Sequence, residues 1–194
     1  MKHFKLLKNI FLRKIKFFIN RDFLPKNPQH DDIYIVEFPK SGVTWLSFIL
    51  GNILISLEGK NEKVTFYNHH KYVMDIHQQA SSDFIHKYNL RFVKSHLEYN
   101  QYYFFVIYMI RNPFDVLVSY YNFKRDLGYI RSFDEFIRSD RYGINAWVRH
   151  VNGWLFKRKG NNHLHLIRYE DLLNNGEESI GKMFDNLGVI LNEK

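Results

Sequence analysis

A chain of 194 residues with 45% hydrophobic and 25% charged side chains has the make-up of one folded domain with a terminal arm, and excludes disorder, collagen and low-complexity repeats as readings of the whole. The absence of cysteine removes disulfides, Cys-ligated zinc, iron–sulfur clusters and thiol catalysis, and fits a reducing compartment. The net charge of +8 is concentrated at one end: residues 1–26 hold eight Lys and Arg against Asp22, while the other 168 residues hold 20 basic and 19 acidic side chains, so no nucleic-acid surface is expected.

Residues 1–28 read as a basic amphipathic arm ahead of an α/β domain over 29–194. On a helix, Phe4, Leu7, Phe11, Ile15 and Phe18 form one stripe, widened by Leu6, Ile10 and Phe17. Lys2, Lys5, Lys8, Arg13 and Lys16 lie opposite, and Lys14 sits on the apolar flank. The apolar runs are too short to cross a bilayer. Charges through the would-be hydrophobic region, with no small-residue cleavage site after it, argue against a signal peptide. Two readings stay open: residues 2–19 lie on an anionic membrane surface, or they pack on the domain with the Lys face in water. The expected location is cytoplasmic, peripheral at the membrane under the first reading.

Beyond Pro25 and Pro28, residues 33–38 read as a buried strand, 39–44 as a turn and 45–57 as an apolar helix closed by Gly59. Residues 60–65 read as loop or short strand and 72–79 as helix. The apolar, β-prone runs 91–94 and 104–110 read as strands. Asn112-Pro113 ends the second and opens a helix over 114–124. Helices follow over 133–139 and 144–157, then a strand over 164–169, then a helix from about 177 to 187 that stops at Gly188. This alternation predicts a three-layer, P-loop-like α/β fold, a central parallel sheet flanked by helices, whose ligand sits at the carboxyl ends of the strands.

The segment Pro39-Lys40-Ser41-Gly42-Val43-Thr44-Trp45 joins the first strand to its helix. Gly42 lets the backbone curl, so that the N–H groups of Gly42 through Trp45 face outward at the positive end of the helix and form an anion site. Lys40 adds a charge; Ser41 and Thr44 add hydroxyl donors. A Walker A loop places Lys after its second Gly; here Lys precedes the Gly, so a P-loop kinase is disfavoured. A plain strand-to-helix turn remains the alternative for the loop taken alone. Trp147, His150 and Trp154 share one helix face and read as packing, and no His/Asp/Glu cluster has metal-ligand spacing.

Phe38-Pro39-Lys40-Ser41-Gly42-Val43-Thr44-Trp45-Leu46 resembles the 5′-phosphosulfate loop of the cytosolic-type sulfotransferases. Arg111-Asn112-Pro113-Phe114-Asp115-Val116-Leu117-Val118-Ser119-Tyr120-Tyr121 resembles their 3′-phosphate motif. Phe92-Val93-Lys94-Ser95-His96-Leu97, the run from Trp147 to Trp154 and Arg168-Tyr169-Glu170-Asp171-Leu172 are similar to three further family segments, all in family order. The resemblance implies 3′-phosphoadenosine 5′-phosphosulfate (PAPS) as sulfuryl donor, no metal, and an acceptor hydroxyl or amine, with glycans, glycolipids and small phenols among the candidates. It implies catalytic roles for His96 as base, Lys40 and Ser119. Donor contacts are implied for Lys40, Ser41, Gly42, Val43, Thr44, Trp45, Arg111, Ser119 and Tyr169. Acceptor loops are expected at 61–70, 83–88 and 124–130.

Three departures accompany the likeness. Val43 replaces the first Thr of the family loop, and Glu98 stands where many members have Pro. Longer members carry an Arg-Lys-Gly-x-x-Gly phosphate clamp after the last helix; Arg158-Lys159-Gly160 precedes the 164–169 strand instead and reads as a basic helix end, so the chain is expected to lack that clamp. The competing expectation is a non-catalytic relative that binds the nucleotide or a partner without turnover.

Overall fold

The computed structural model of the chain describes residues 24–25, 28–77, 90–158 and 163–188; the basic stripe at 2–19 and the expected acceptor loop at 83–88 lie outside the described residues. Five strands form one all-parallel sheet: β1 (Ile33–Glu37), β2 (Val73–Asp75), β3 (Phe92–Ser95), β4 (Phe105–Ile110) and β5 (Leu164–Arg168), in the order β2-β3-β1-β4-β5. The helices are α1 (Val43–Leu57), α2 (Pro113–Asp126), α3 (Phe133–Ile137), α4 (Ile144–Lys157), α5 (Tyr169–Asn174) and α6 (Gly176–Asn186).

Strand alternation divides the interior into two layers. Ile33, Ile35, Val73, Phe92, Ile107, Met109 and Ile167 face α1 and α6, against Leu46, Leu50, Leu54, Met183 and Phe184. Tyr34, Val36, Met74, Val93, Val106 and Tyr108 point the other way and pack with Tyr103 and with Val151 and Trp154 of α4. All five residues of β1 are buried, as a central parallel strand covered on both faces requires. A third cluster, Phe38, Val116, Leu117, Tyr120, Phe136 and Ala146, closes the carboxyl end of the sheet beneath α2, α3 and α4. At the amino end of β1, buried Asp32 takes a 2.7 Å ion pair from Arg91.

The helix expected at 72–79 is not formed over 72–77; residues 78 and 79 lie outside the described residues. A 3₁₀ turn at His69–Lys71 leads into β2, and Ile76 continues it by donating its N–H to the Lys94 carbonyl. Val73 enters one core layer and Met74 and Ile76 the other. Pairing along β3 fixes a period of two over a stretch too short to show it in sequence. Residues 60–65 are loop, held to α1 by the Val64 N–H donated to Asn52 Oδ1 at 3.1 Å. The strand expected to run through Tyr169 ends at Arg168, and α5 begins with Tyr169. Glu170 and Asp171 in its first turn suit the positive end of a helix.

Candidate active site

Strand order locates the site. β1 lies between β3 and β4, and the chain crosses from one side of β1 to the other between them, so the crevice opens at the carboxyl end of β1. Lys40 follows β1, His96 follows β3, Arg111 follows β4 and Tyr169 follows β5. Register sets them level. Val36 pairs through Cα with Ser95, which puts Glu37 beside His96, and Ile110 pairs with Arg168, which puts Arg111 beside Tyr169.

The loop from Phe38 to Gly42 is wound tightly. Ser41 N–H and Oγ both donate to the Phe38 carbonyl, at 3.2 and 2.8 Å. Lys40 takes φ 77° and Gly42 φ 119°. Only glycine holds the second position comfortably: a Cβ there would lie 2.6 Å from Tyr169 Cδ2 and 2.8 Å from Met109 Cε. For Lys40 the left-handed backbone is a strain of about 1–2 kcal/mol.

Two parts of the sequence reading change here. The Val43 N–H points inward and donates to Glu37 Oε2 at 2.7 Å, and the Trp45 N–H donates to the Gly42 carbonyl at 3.0 Å. Two of the four N–H groups expected to face outward are thus committed within the protein. The Ser41 hydroxyl is spent inside the turn. Thr44 is exposed, and α1 has no acidic residue in its first turn; the carboxyl that meets its positive end is that of Glu37, from the preceding strand.

Arg111 is fixed from several sides. Its guanidinium lies 4.4 Å from the Tyr169 ring centroid, Nη1 donates to the Lys40 carbonyl at 3.5 Å, and Nη2 stands 4.0 Å from Asp115. Its Nε is buried without a partner among the described residues. Tyr169 in turn meets Trp45 edge-on at 5.4 Å. The neighbouring Asn112 explains the Arg-Asn-Pro sequence. Its side chain caps α2 by accepting the Phe114 N–H at 2.9 Å, Pro113 takes the first helical position, and Glu170 accepts the Asn112 N–H at 2.8 Å.

Asp115, Ser119 and Phe123 follow at intervals of four, one face of α2. Lys40 Nζ sits 4.7 Å from the Phe123 ring, so Lys40 lies along the face that carries Ser119, one turn away. The structure thus gathers Lys40, Gly42, Trp45, Arg111 and Tyr169 tightly, with Ser119 adjacent.

His96 stands on the other side of β1. The segment behind it is anchored by Trp154 Nε1, which donates to the Leu97 carbonyl at 3.0 Å, and by the Leu97 N–H, donated to Ser95 Oγ at 3.2 Å. The His96 side chain is 40% exposed. The surrounding protein lowers its pKa from the ordinary value, and Asp75 partly opposes that. His150 is a packed residue, as its helix face suggests, but also a polar one. Its Nδ1 hydrogen-bonds the Tyr108 hydroxyl at 2.9 Å, and burial pushes its pKa down to about 4. Arg158 ends α4 and donates to the Phe104 carbonyl at 3.1 Å, away from the crevice. Sequence reasoning passed over Glu37, whose signal was a carboxylate inside a strand otherwise built of apolar residues and Tyr.

Among the described residues no group of three or more His, Asp or Glu is placed to hold a metal ion, and no helix is long and apolar enough to cross a membrane.

The sequence pattern of the family described as "Sulfotransferase domain" matches residues 30–194. The chain is 33% identical to mouse sulfotransferase 2A6 over 81% of its own length and 59% of the relative's. It is 31% identical to human sulfotransferase 2B1 over 81% and 46%. It therefore spans less than two thirds of the length of either relative. Among solved structures, a mouse sulfotransferase complexed with PAP superposes with a TM-score of 0.62 at 25% identity, over 90% of this chain and 63% of that one. A retinol dehydratase, at TM-score 0.63 and 19% identity over 92% and 65%, shares the fold. The chain belongs to the sulfotransferase domain family.

Proposed function

We propose that the protein transfers the sulfuryl group of PAPS to an acceptor hydroxyl, with residues 29–194 as the acting domain. The observation that carries this is the meeting of Lys40, Arg111 and Tyr169 with the amino end of α1 at the carboxyl end of β1, with His96 across the strand. The donor is consumed as a substrate, and the residues present suit it. The Gly42 and Thr44 N–H groups and Lys40 offer positive charge for the 5′-phosphosulfate. Arg111, whose Nε is unpartnered among the described residues, and Ser119 offer a fork and a hydroxyl for the 3′-phosphate. Trp45 and Tyr169 offer ring faces for adenine. In the transfer, the acceptor oxygen bonds to sulfur, the bond from sulfur to the donor's phosphate oxygen breaks, and the acceptor's proton passes to His96. Lys40 neutralises the charge growing on the departing phosphate. As in phosphoryl transfer, positioning and electrostatics supply most of the catalysis.

Calorimetric titration with adenosine 3′,5′-bisphosphate (PAP), the desulfonated donor, tests the site before any acceptor is known. Arg111→Ala is expected to weaken PAP by about 1.5–3 kcal/mol through loss of a charge-assisted pair, and ATP, without a 3′-phosphate, should bind poorly. ATP competing as well as PAP would overturn the assignment.

The proposal extends to a membrane-linked acceptor, supported by the basic and apolar sides of the 2–19 sequence. Each basic residue close to anionic lipid contributes about 1 kcal/mol. The full chain should sediment with phosphatidylserine vesicles at low salt and be released as salt rises, and deletion of residues 2–19 should abolish pelleting while PAP binding persists. Failure of the intact chain to pellet removes the membrane contact.

A further inference from the structure

Glu37 ends β1 with 2% of its surface exposed, and its carboxyl is held between two groups. Oε2 accepts the Val43 N–H at 2.7 Å, and Oε1 faces His96 Nδ1 at 3.6 Å. Register is the cause, because Val36 pairs with Ser95 and the next residues of the two strands emerge side by side. A carboxylate is a costly choice there. Burial pushes its pKa up to about 8, against the pull of the Val43 N–H and of Lys40. The loop N–H groups that face it, those of Lys40, Ser41 and Val43, need no ionisable group; a neutral amide oxygen meets them at lower desolvation cost. Among the described residues, no other carboxylate lies within 4 Å of a His96 ring nitrogen.

We propose that Glu37 is a positioning residue for His96: its carboxylate takes the Nδ1 proton of the imidazole and so leaves Nε2 bare toward the acceptor hydroxyl. The inference rests on the reading of His96 as the base. A neutral imidazole carries one N–H, and the partner of one nitrogen decides which nitrogen bears it. While Glu37 keeps its own proton it donates to Nδ1, and the ring's proton sits on Nε2, where it blocks proton acceptance. Once Glu37 ionises, it accepts from Nδ1 and Nε2 is free. The 3.6 Å separation shortens as the hydrogen bond forms, as such contacts do when a site engages its substrates.

The two groups titrate as a pair, so turnover rises with pH through the region around 8 where burial holds the carboxyl. Glu37 is faced by the Lys40 ammonium, by the N–H groups of Lys40, Ser41 and Val43, and by Tyr108 of β4. His96 is faced by Asp75 at the end of β2, His77 beyond it, Lys94 of β3 and His150 of α4. Asp75, whose charge acts on His96, is itself paired with Lys94 at 3.5 Å, and His150 with Tyr108 at 2.9 Å; the Glu37 carboxyl is the one in reach of the His96 ring, which the Glu37 backbone carbonyl faces as well.

The test is Glu37→Gln in the full chain. The Val43 N–H can only be met by the amide oxygen, so the amide nitrogen faces Nδ1 as a donor and imposes the wrong tautomer. The equivalent Asp→Asn change in a Ser-His-Asp triad costs about 10⁴-fold in kcat for that reason. Here a fall of at least ~10²-fold is expected, with PAP affinity within about twofold, partial recovery in Glu37→Asp and loss of the rise near pH 8. Long-range ¹⁵N–¹H NMR, with the His96 signal identified by its absence in His96→Gln, reads the tautomer directly. The wild type should pass from Nε2–H at pH 6.5 to Nδ1–H at pH 9.5, and Glu37→Gln should stay Nε2–H throughout. A wild-type tautomer that does not change over this range overturns the proposal, whether or not a working acceptor is in hand and whether or not the variant folds. If the tautomer switches but His96→Ala still turns over, the base assignment fails and the pairing stands.

Discussion

Alanine at Gly42 is expected to destabilise the fold by about 1–3 kcal/mol and to weaken PAP at least tenfold. Two costs add at this position. The backbone sits at φ 119°, where an L side chain is strained. The new methyl would also press on Tyr169 Cδ2 at 2.6 Å and Met109 Cε at 2.8 Å. Met109 is flexible at its tip and can give way. Tyr169 cannot move alone, because Arg111 lies over its ring and Trp45 packs on it in a T-shaped contact. Relief of the clash therefore shifts the guanidinium proposed to hold the 3′-phosphate, which is why binding should suffer along with stability. Denaturant unfolding measures the first effect and PAP calorimetry the second. An unfolding midpoint and affinity both equal to wild type would show that the loop has room to rearrange.

His96→Ala should lower turnover by roughly 10²–10⁴-fold, the usual contribution of a positioned base, while PAP affinity stays near wild type. The reason is spatial: His96 meets Glu37 across β1, whereas Lys40, Arg111 and Tyr169 interact among themselves on the other side. An interaction made only in the transition state lowers kcat and kcat/KM together. Lys40→Ala should reduce both affinity and kcat, since Lys40 serves the bound donor and its departing phosphate. Equal loss of affinity in the two variants would make His96 a structural residue.

Much of this was legible in the sequence because the informative segments are local. The strand, loop and first helix occupy one continuous stretch, and Asn112-Pro113 writes a helix start in two residues. β2 was hidden because three residues carry no decisive period, and its pairing partner β3 lies about twenty residues further on. The inward turn of the Val43 N–H escaped because it depends on where Glu37 points, and Glu37 on its own reads as an ordinary strand-end charge. The commitment of Ser41 to its own turn is likewise invisible in composition: hydroxyls bind ligands or satisfy backbone with the same atoms.

The remoteness in sequence of the residues that build the crevice bears on how it forms. Arg111 reaches the Lys40 carbonyl across 71 positions, Asn112 is pinned by Glu170 across 58, and the Arg91–Asp32 contact at the foot of the sheet spans 59. A parallel sheet whose central strand is flanked by later ones has high contact order, and loop-closure entropy is spent before such contacts reward it. Folding is accordingly expected in the slow range of small domains. On the ribosome, the crevice stays incomplete until β5 and the first turn of α5 have emerged, because Tyr169 and Glu170 arrive last and lock Arg111 and Asn112 in place.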